Sequence, residues 1–418
     1  MRPGALLDLA TELLRRVLQL RHPADRVVSE FFGEHRQLGA RERHTLTDTV
    51  YAVLRLRLLY RHLAQSGQGP LERRLAILAW QGDAGFLRAA LSAPELDWLT
   101  RVEAIDRSTL PEKLRHNLPD WLVELLRRQR GDDFDAFVDS LTAPAPLDLR
   151  VNTMKAKRDE AQAALRASGI ESAPTPYSPL GLRVVGKPAL NRVEAFEQGI
   201  VEVQDEGSQL VALLVEARRG EMVVDFCAGA GGKTLALGAA MRNTGRLYAF
   251  DTSGHRLAAL KPRVARSGLS NVHTVQIAHE RDDRIRRLAG KVDRVLVDAP
   301  CSGLGTLRRS PDLKWRQTSE TIAALTVRQQ AILAGAAGLL KPGGRLVYAT
   351  CSLLEAENES IAAAFETTHP DFRRLPAGEA LVRAGVERAA ETVDGDFLRL
   401  WPDRHNTDGF FASIWQRT

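Results

Sequence analysis

From about residue 200 onward, short apolar runs alternate with helical segments, and this alternation narrows the possible folds more than any other feature of the chain. The runs are MVVDF (222–226), RLYAFD (246–251), VDRVLVDAP (292–300) and GRLVYAT (344–350), and the clearest helical segment is TIAALTVRQQAILAGAAGLL (321–340). Polarity hardly alternates within the runs, so each strand must be covered on both faces, as parallel strands flanked by helices are. This grammar predicts a doubly wound, mostly parallel α/β sheet over residues 201–418, with right-handed crossovers. Ligands of such sheets bind beyond the carboxyl ends of the strands.

The preceding residues follow other periods. Leu6, Leu9, Leu13, Leu14, Val17 and Leu20 recur at helical spacing, as do apolar positions in TLTDTVYAVLRLRLLYRHLA (45–64), which predicts an all-α domain over residues 1–141. Prolines between Thr142 and Pro146 remove backbone donors and close that domain. LDLRVNT (147–153), KRDEAQAALRAS (157–168) and GLRVVG (181–186) then read as strand, helix and strand, a small α+β module at 147–200. A chain of 418 residues suits such a multidomain arrangement. Its three cysteines, odd in number and sparse, point to a reducing compartment. No apolar run reaches the roughly 18 residues of a membrane helix. A cytoplasmic protein without membrane association is therefore expected. The net charge of +6 permits a polyanionic partner without requiring one.

The loop Asp225-Phe226-Cys227-Ala228-Gly229-Ala230-Gly231-Gly232-Lys233-Thr234 follows the first of the strands and opens a helix. Glycines there let backbone amides close on a ligand. A phosphate-binding P-loop would need glycine where Cys227 stands, and a dinucleotide fingerprint would need it at Thr234. Asp251 ends the next strand, placed to accept hydrogen bonds from ribose hydroxyls. The pattern fits an adenosine-containing ligand that lacks a polyphosphate. The plain alternative is a tight turn with a solvent-facing Asp.

Cys301, in Asp298-Ala299-Pro300-Cys301-Ser302-Gly303, and Cys351, in Ala349-Thr350-Cys351-Ser352, stand directly after buried strands, and this fold brings both to one crevice. A free cysteine is most often a small buried hydrophobe. Two of them at two strand ends, close to Asp298 and a nucleotide-type loop, read instead as chemistry. One reaction needs such a set. C5 of a pyrimidine accepts a methyl group poorly until a thiolate adds at C6 and makes C5 enamine-like. Negative charge then develops on the ring, and Asp298 suits the place near N3 and the exocyclic amine if its carboxyl is protonated or shared. A second thiol assists departure of the first. The residues alone do not order the two cysteines.

DFCAGAGGKT, VLVDAPCSGLGTLRRSPDLKW, KPGGRLVYATCS and DGFF closely resemble the RNA cytosine-C5 methyltransferases, specifically the ribosomal small-subunit methyltransferase B group, over most of residues 200–412. The resemblance implies a Rossmann-like domain that uses S-adenosylmethionine to methylate RNA, with 16S rRNA as the partner and transfer RNA as the alternative. It implies that Cys351 is the nucleophile and that Cys301 aids product release. Cofactor contacts carry over to Cys227, Ala228, Gly229, Ala230, Gly231, Gly232, Lys233, Asp251 and Asp298. Residues 1–141 are similar, in helical pattern and in VYAVLR, to the NusB-like RNA-binding domain of that group. Arg308 and Arg309 are read as RNA-backbone contacts. Arg150-Val151-Asn152 and Gln204-Asp205 resemble family positions close to substrate.

Two departures stand out. The family loop CAAPGGKT carries a proline that is absent here, and glycine tolerates the same backbone path. Where the family places an Asp near the adenine, this chain reads Ile277-Ala278-His279-Glu280, leaving His279 or Glu280 for that place. No HExxH, CxxC or histidine cluster points to a metal. Two competing readings are a catalytically silent RNA-binding ribosome-assembly factor, against which Cys301, Cys351 and Asp298 speak, and a cysteine hydrolase, which needs a histidine base that no strand end supplies.

Overall fold

The computed structural model describes residues 1–186 and 188–418. It divides into two compact units, Met1–Pro144 with Leu307–Thr318, and Ala145–Thr306 with Ser319–Thr418.

The first unit is all-helical. Helices Pro3–Val17, Ala24–Glu34 and Ala40–Arg55 bury Leu7, Leu13, Leu14, Phe31, Leu46 and Leu54 in one core. Leu307–Thr318 packs there as well. Trp315 Nε1 donates to Leu54 O at 2.6 Å, and Lys314 Nζ donates to Arg55 O at 2.9 Å. Burial, with Arg55 nearby, pushes the Lys314 ammonium down to about 7. This placement corrects the reading of Arg308 as an RNA-backbone contact. Arg308 is 6% exposed and donates to Pro144 O at 2.9 Å, while its own carbonyl accepts from Arg55 at 3.0 Å. Arg309 is half-buried. The segment that follows the PCSG loop supplies packing to the helical core, which no local pattern announces.

The second unit holds two sheets. The smaller has the order β2-β3-β1-β4, all antiparallel, built from β1 (Leu147–Val151), β2 (Ser172–Pro174), β3 (Gly181–Val184) and β4 (Val201–Val203). Helix Arg158–Ala167 covers it through Ala161 and Leu165. β2 and β4, three residues each, are too short to show a period of two in the sequence.

The larger sheet contains β5 (Met222–Asp225), β6 (Arg246–Asp251), β7 (Val272–Gln276), β8 (Val292–Asp298), β9 (Leu340–Thr350), β10 (Phe372–Leu375), β11 (Val393–Asp394), β12 (Phe397–Leu400) and β13 (Phe410–Arg417). Strands β7-β6-β5-β8-β9 pair in parallel, as expected of a doubly wound Rossmann-like sheet. Val295, Leu296 and Val297, successive in β8, are each 0% exposed, so both faces are covered. Beyond β9 the sheet continues antiparallel through β13, β12 and β11, with β10 also on β13. The sequence reading did not include that extension. The strand order reverses between β5 and β8, where a crevice forms at the carboxyl edge. Among the described residues, no helix is long and apolar enough to cross a membrane.

Candidate active site

Asp225, Asp251, Asp298 and Thr350 are the last residues of β5, β6, β8 and β9. Chain segments leaving these strand ends surround a cavity of about 500 Å³, lined among others by Cys227 through Lys233, Asp251, Asp298, Cys301 and Cys351. The structure therefore brings every residue singled out for cofactor or catalysis to one place.

The glycine loop takes a path that needs its glycines. Gly231 has φ +87°, and a Cβ there would lie 2.0 Å from Leu260 Cδ1. Gly229 has φ +55°, and its N–H donates to Asp251 Oδ2 at 2.9 Å. Asp251 Oδ1 accepts from Ser253 N at 2.7 Å. Each carboxylate oxygen keeps a further lone pair, so Asp251 can still accept from a diol in the cavity. Arg150, 3% exposed, supports the loop from outside by donating to Gly232 O at 2.7 Å and to Gln204 Oε1. Gln204 itself lines the cavity, whereas Arg150, Val151, Asn152 and Asp205 are not among the lining residues. Asn152 instead donates to Gly199 O and Ser267 O.

Lys233 Nζ donates to Asp298 Oδ2 at 2.8 Å, so the Asp298 carboxyl is shared. Burial opposes the Lys233 charge, yet Asp298, with Cys351 and Asp225, outweighs it and holds the ammonium above its usual range. The one cation of the loop is thus engaged and does not offer itself to a polyphosphate. An acid suited to ribose, apolar walls at Phe226, Ala228, Ile277 and Ile332, and no free loop lysine fit an adenosine ligand without a phosphate chain. His279 and Glu280 also line the cavity, and His279 Nδ1 accepts from Arg281 N at 3.1 Å.

Asp225 is 1% exposed, and its Oδ2 accepts from Thr234 Oγ1 at 2.7 Å. Burial pushes its carboxyl up to about 7, with Thr234 opposing and the Asp298 and Asp251 carboxylates adding to the rise. Between the ordinary value of 3.8 and 7 the folded state holds one proton more than the unfolded state. Stability from this group is therefore present at acid pH and lost as pH rises through about 7. Asp225→Asn is expected to flatten that slope. Unfolding midpoints at pH 5 and pH 8 test it, and an unchanged difference between the two would assign the slope to another group.

The sulfurs of Cys301 and Cys351 lie 3.5 Å apart. The contact with Cys351, together with burial, pushes the Cys301 thiol well up, which favours its neutral form. Burial and the three nearby carboxylates likewise raise Cys227 and hold it as a neutral thiol. Behind Cys351 the backbone is tightly bracketed. Gly305 N donates to Cys351 O at 2.8 Å, Gly409 N donates to Gly305 O at 2.8 Å, and a Cβ on Gly305 would come within 2.1 Å of Gly409 O. The DGFF turn at the start of β13 thus closes on the cysteine loops. Arg256 and Arg328, which also line the cavity, escaped the sequence reading because a single arginine on a helix carries no local signature.

A Rossmann-like sheet with this loop, acid and cavity defines the class of S-adenosylmethionine-dependent methyltransferases. The family described as "16S rRNA methyltransferase RsmB/F" matches residues 212–416, and the "Methyltr_RsmF/B-like, ferredoxin-like domain" matches residues 118–190. The chain is 36% identical over 314 residues to the "Probable ribosomal RNA small subunit methyltransferase B" of Synechocystis sp., covering 74% of this chain and 69% of that protein. The chain belongs to the RsmB/F family. The crystal structure of PH0851 superposes with TM-score 0.82 at 27% identity, over 100% of this chain and 99% of that one. NSun6 from Pyrococcus horikoshii, solved with the S-adenosylmethionine analogue SFG, shares the fold at TM-score 0.62 and 22% identity, over 72% of this chain and 98% of that one.

Proposed function

We propose that this protein transfers a methyl group from S-adenosylmethionine to C5 of a cytosine in 16S rRNA, with Cys351 as nucleophile and Cys301 assisting release. The observation that carries the proposal is a pair of thiols 3.5 Å apart in the same cavity as the glycine loop and Asp251.

In this reading, Cys227 through Lys233 and Asp251 hold the cofactor. When bound, S-adenosylmethionine supplies a methyl group on a positively charged sulfur. Cys351 adds as thiolate to C6 of the cytosine and makes C5 nucleophilic. The Lys233–Asp298 pair meets the charge that develops toward N3 and the exocyclic amine. Once C5 carries the methyl group, water takes up its proton, the C–H electron pair restores the C5–C6 double bond, the C6–S bond breaks and Cys351 leaves as thiolate. Cys301, a neutral thiol beside Cys351, donates a hydrogen bond to the departing sulfur. The ribosomal names in this family support rRNA as substrate, and residues 1–141 serve as the RNA-binding domain.

The test is methylation of unmodified 16S rRNA with radiolabelled S-adenosylmethionine, followed by nuclease mapping. Labelled 5-methylcytosine at one position is the expected result. Label confined to transfer RNA would move the substrate, cofactor binding without transfer would point to another acceptor, and no cofactor binding would leave a silent RNA-binding factor.

A further inference from the structure

Glu357 lies in the turn after the Cys351 loop, is 0% exposed and is not among the residues that line the cavity. Its side chain nevertheless joins both cysteine loops. Ser302, directly after Cys301, and Ser352, directly after Cys351, both donate their hydroxyls to Glu357 Oε2, the former at 2.5 Å. Each hydroxyl has one proton, so the two serines, 3.1 Å apart, are held by the shared acceptor and not by each other. Oε1 accepts from Ser302 N at 2.8 Å and from Gln329 Nε2 at 3.0 Å. Four donors converge on two oxygens, the full complement a carboxylate accepts. Gln329 also donates to Pro300 O at 3.1 Å, which ties the strand side of the Cys301 loop to the same hub. The neighbouring Asn358 donates to Ser352 O at 3.1 Å and accepts from Thr350 Oγ1 at 2.5 Å, completing the grip on the Cys351 loop.

A sulfur–sulfur distance of 3.5 Å between two loops that leave different strands has to be maintained by something outside the reacting atoms. We infer that Glu357 is the positioning residue that sets the spacing of Cys301 and Cys351, and so controls the handover that frees the product. The inference rests on the reading that the two thiols act in sequence. A buried carboxylate with all four acceptor sites filled suits this task because its geometry is rigid and losing it leaves its donors unpaired.

The test uses the full-length protein with Glu357→Gln and, separately, the double variant Ser302→Ala with Ser352→Ala, which keeps the carboxyl and removes the hydroxyls. Spacing is read directly as the rate of Cys301–Cys351 disulfide formation with diamide, which takes up the two electrons and two protons of the thiol pair, followed by mass spectrometry. Both variants are expected to form the disulfide at least about tenfold more slowly, the size of one lost hydrogen bond to a charged group. Turnover on RNA should fall by a similar factor, with KM for S-adenosylmethionine and its binding constant within about twofold of the unaltered protein, since the glycine loop lies outside the network. Unchanged disulfide rate and turnover, with only a lower unfolding temperature, would overturn the inference and leave Glu357 a purely structural residue. If Glu357→Gln does not fold, the serine double variant decides between the same two results. If Cys351→Ala still methylates RNA, the proposed chemistry fails, while the disulfide rate continues to report whether Glu357 sets the spacing.

Discussion

Cys351→Ala is expected to abolish methyl transfer to RNA, by more than about 10³-fold in kcat/KM, while binding of S-adenosylmethionine persists. The glycine loop leaves β5, and Cys351 follows β9, so removing one sulfur should leave the loop amides proposed to hold the cofactor undisturbed. Cys301→Ala should behave differently. In the proposed chemistry addition and transfer need only Cys351, whereas release is assisted by the Cys301 thiol 3.5 Å away, so this variant should accumulate a protein–RNA adduct that survives denaturing electrophoresis. The two variants together separate the roles. An adduct trapped by Cys351→Ala, with transfer lost in Cys301→Ala, would exchange the assignments, and activity in both variants would remove covalent catalysis altogether.

The second large effect is expected at Lys233. Its ammonium is paired with Asp298 at 2.8 Å, lies 5.3 Å from the Phe410 ring and feels the carboxyl of Asp225 as well. Lys233→Met keeps the length of the side chain but leaves Asp298 without its cation. Breaking a buried pair from one side costs about 3–5 kcal/mol, and partial exposure of Asp298 puts the expected loss at the lower end of that range. The unfolding midpoint should drop by several degrees and turnover by roughly 10²-fold. Adding Asp298→Asn removes the orphaned charge, so the double variant should regain most of the stability and none of the turnover. Calorimetry and the RNA methylation assay read the two quantities separately. A Lys233→Met protein with full activity would show that the pair is structural only.

The parallel strands β5, β6, β8 and β9 were legible because strands buried on both faces must be apolar throughout, as Val295 to Val297 show, whereas the partly exposed β7 carries no such run. The glycine loop was legible because only glycine tolerates the conformation at Gly231. The antiparallel strands β10 to β13 were less so. Their pairing with β9 depends on partners far along the chain, and β11 is only two residues long. Arg308 shows the limit from the opposite side, since an arginine after a catalytic loop looks available for phosphate until the segment Leu307–Thr318 is seen buried in the helical unit.

By itself the sequence located the carboxyl ends of β5, β6, β8 and β9 to within about two residues, because apolar runs, glycine at the turn and cysteine after the strand are all local properties. It thereby placed Asp225, Asp251, Asp298, Cys301 and Cys351 at one edge of one sheet. Only the tertiary structure decided their chemical state. The Cys301 thiol is pushed up because burial and Cys351, just past the end of another strand, act on it together. Asp298 is shared because Lys233 reaches it from the glycine loop. Both loops share one acceptor because Glu357 folds back beneath them. Protonation and spacing depend on neighbours within a few ångströms, and those neighbours are set by packing between segments that lie far apart in the chain.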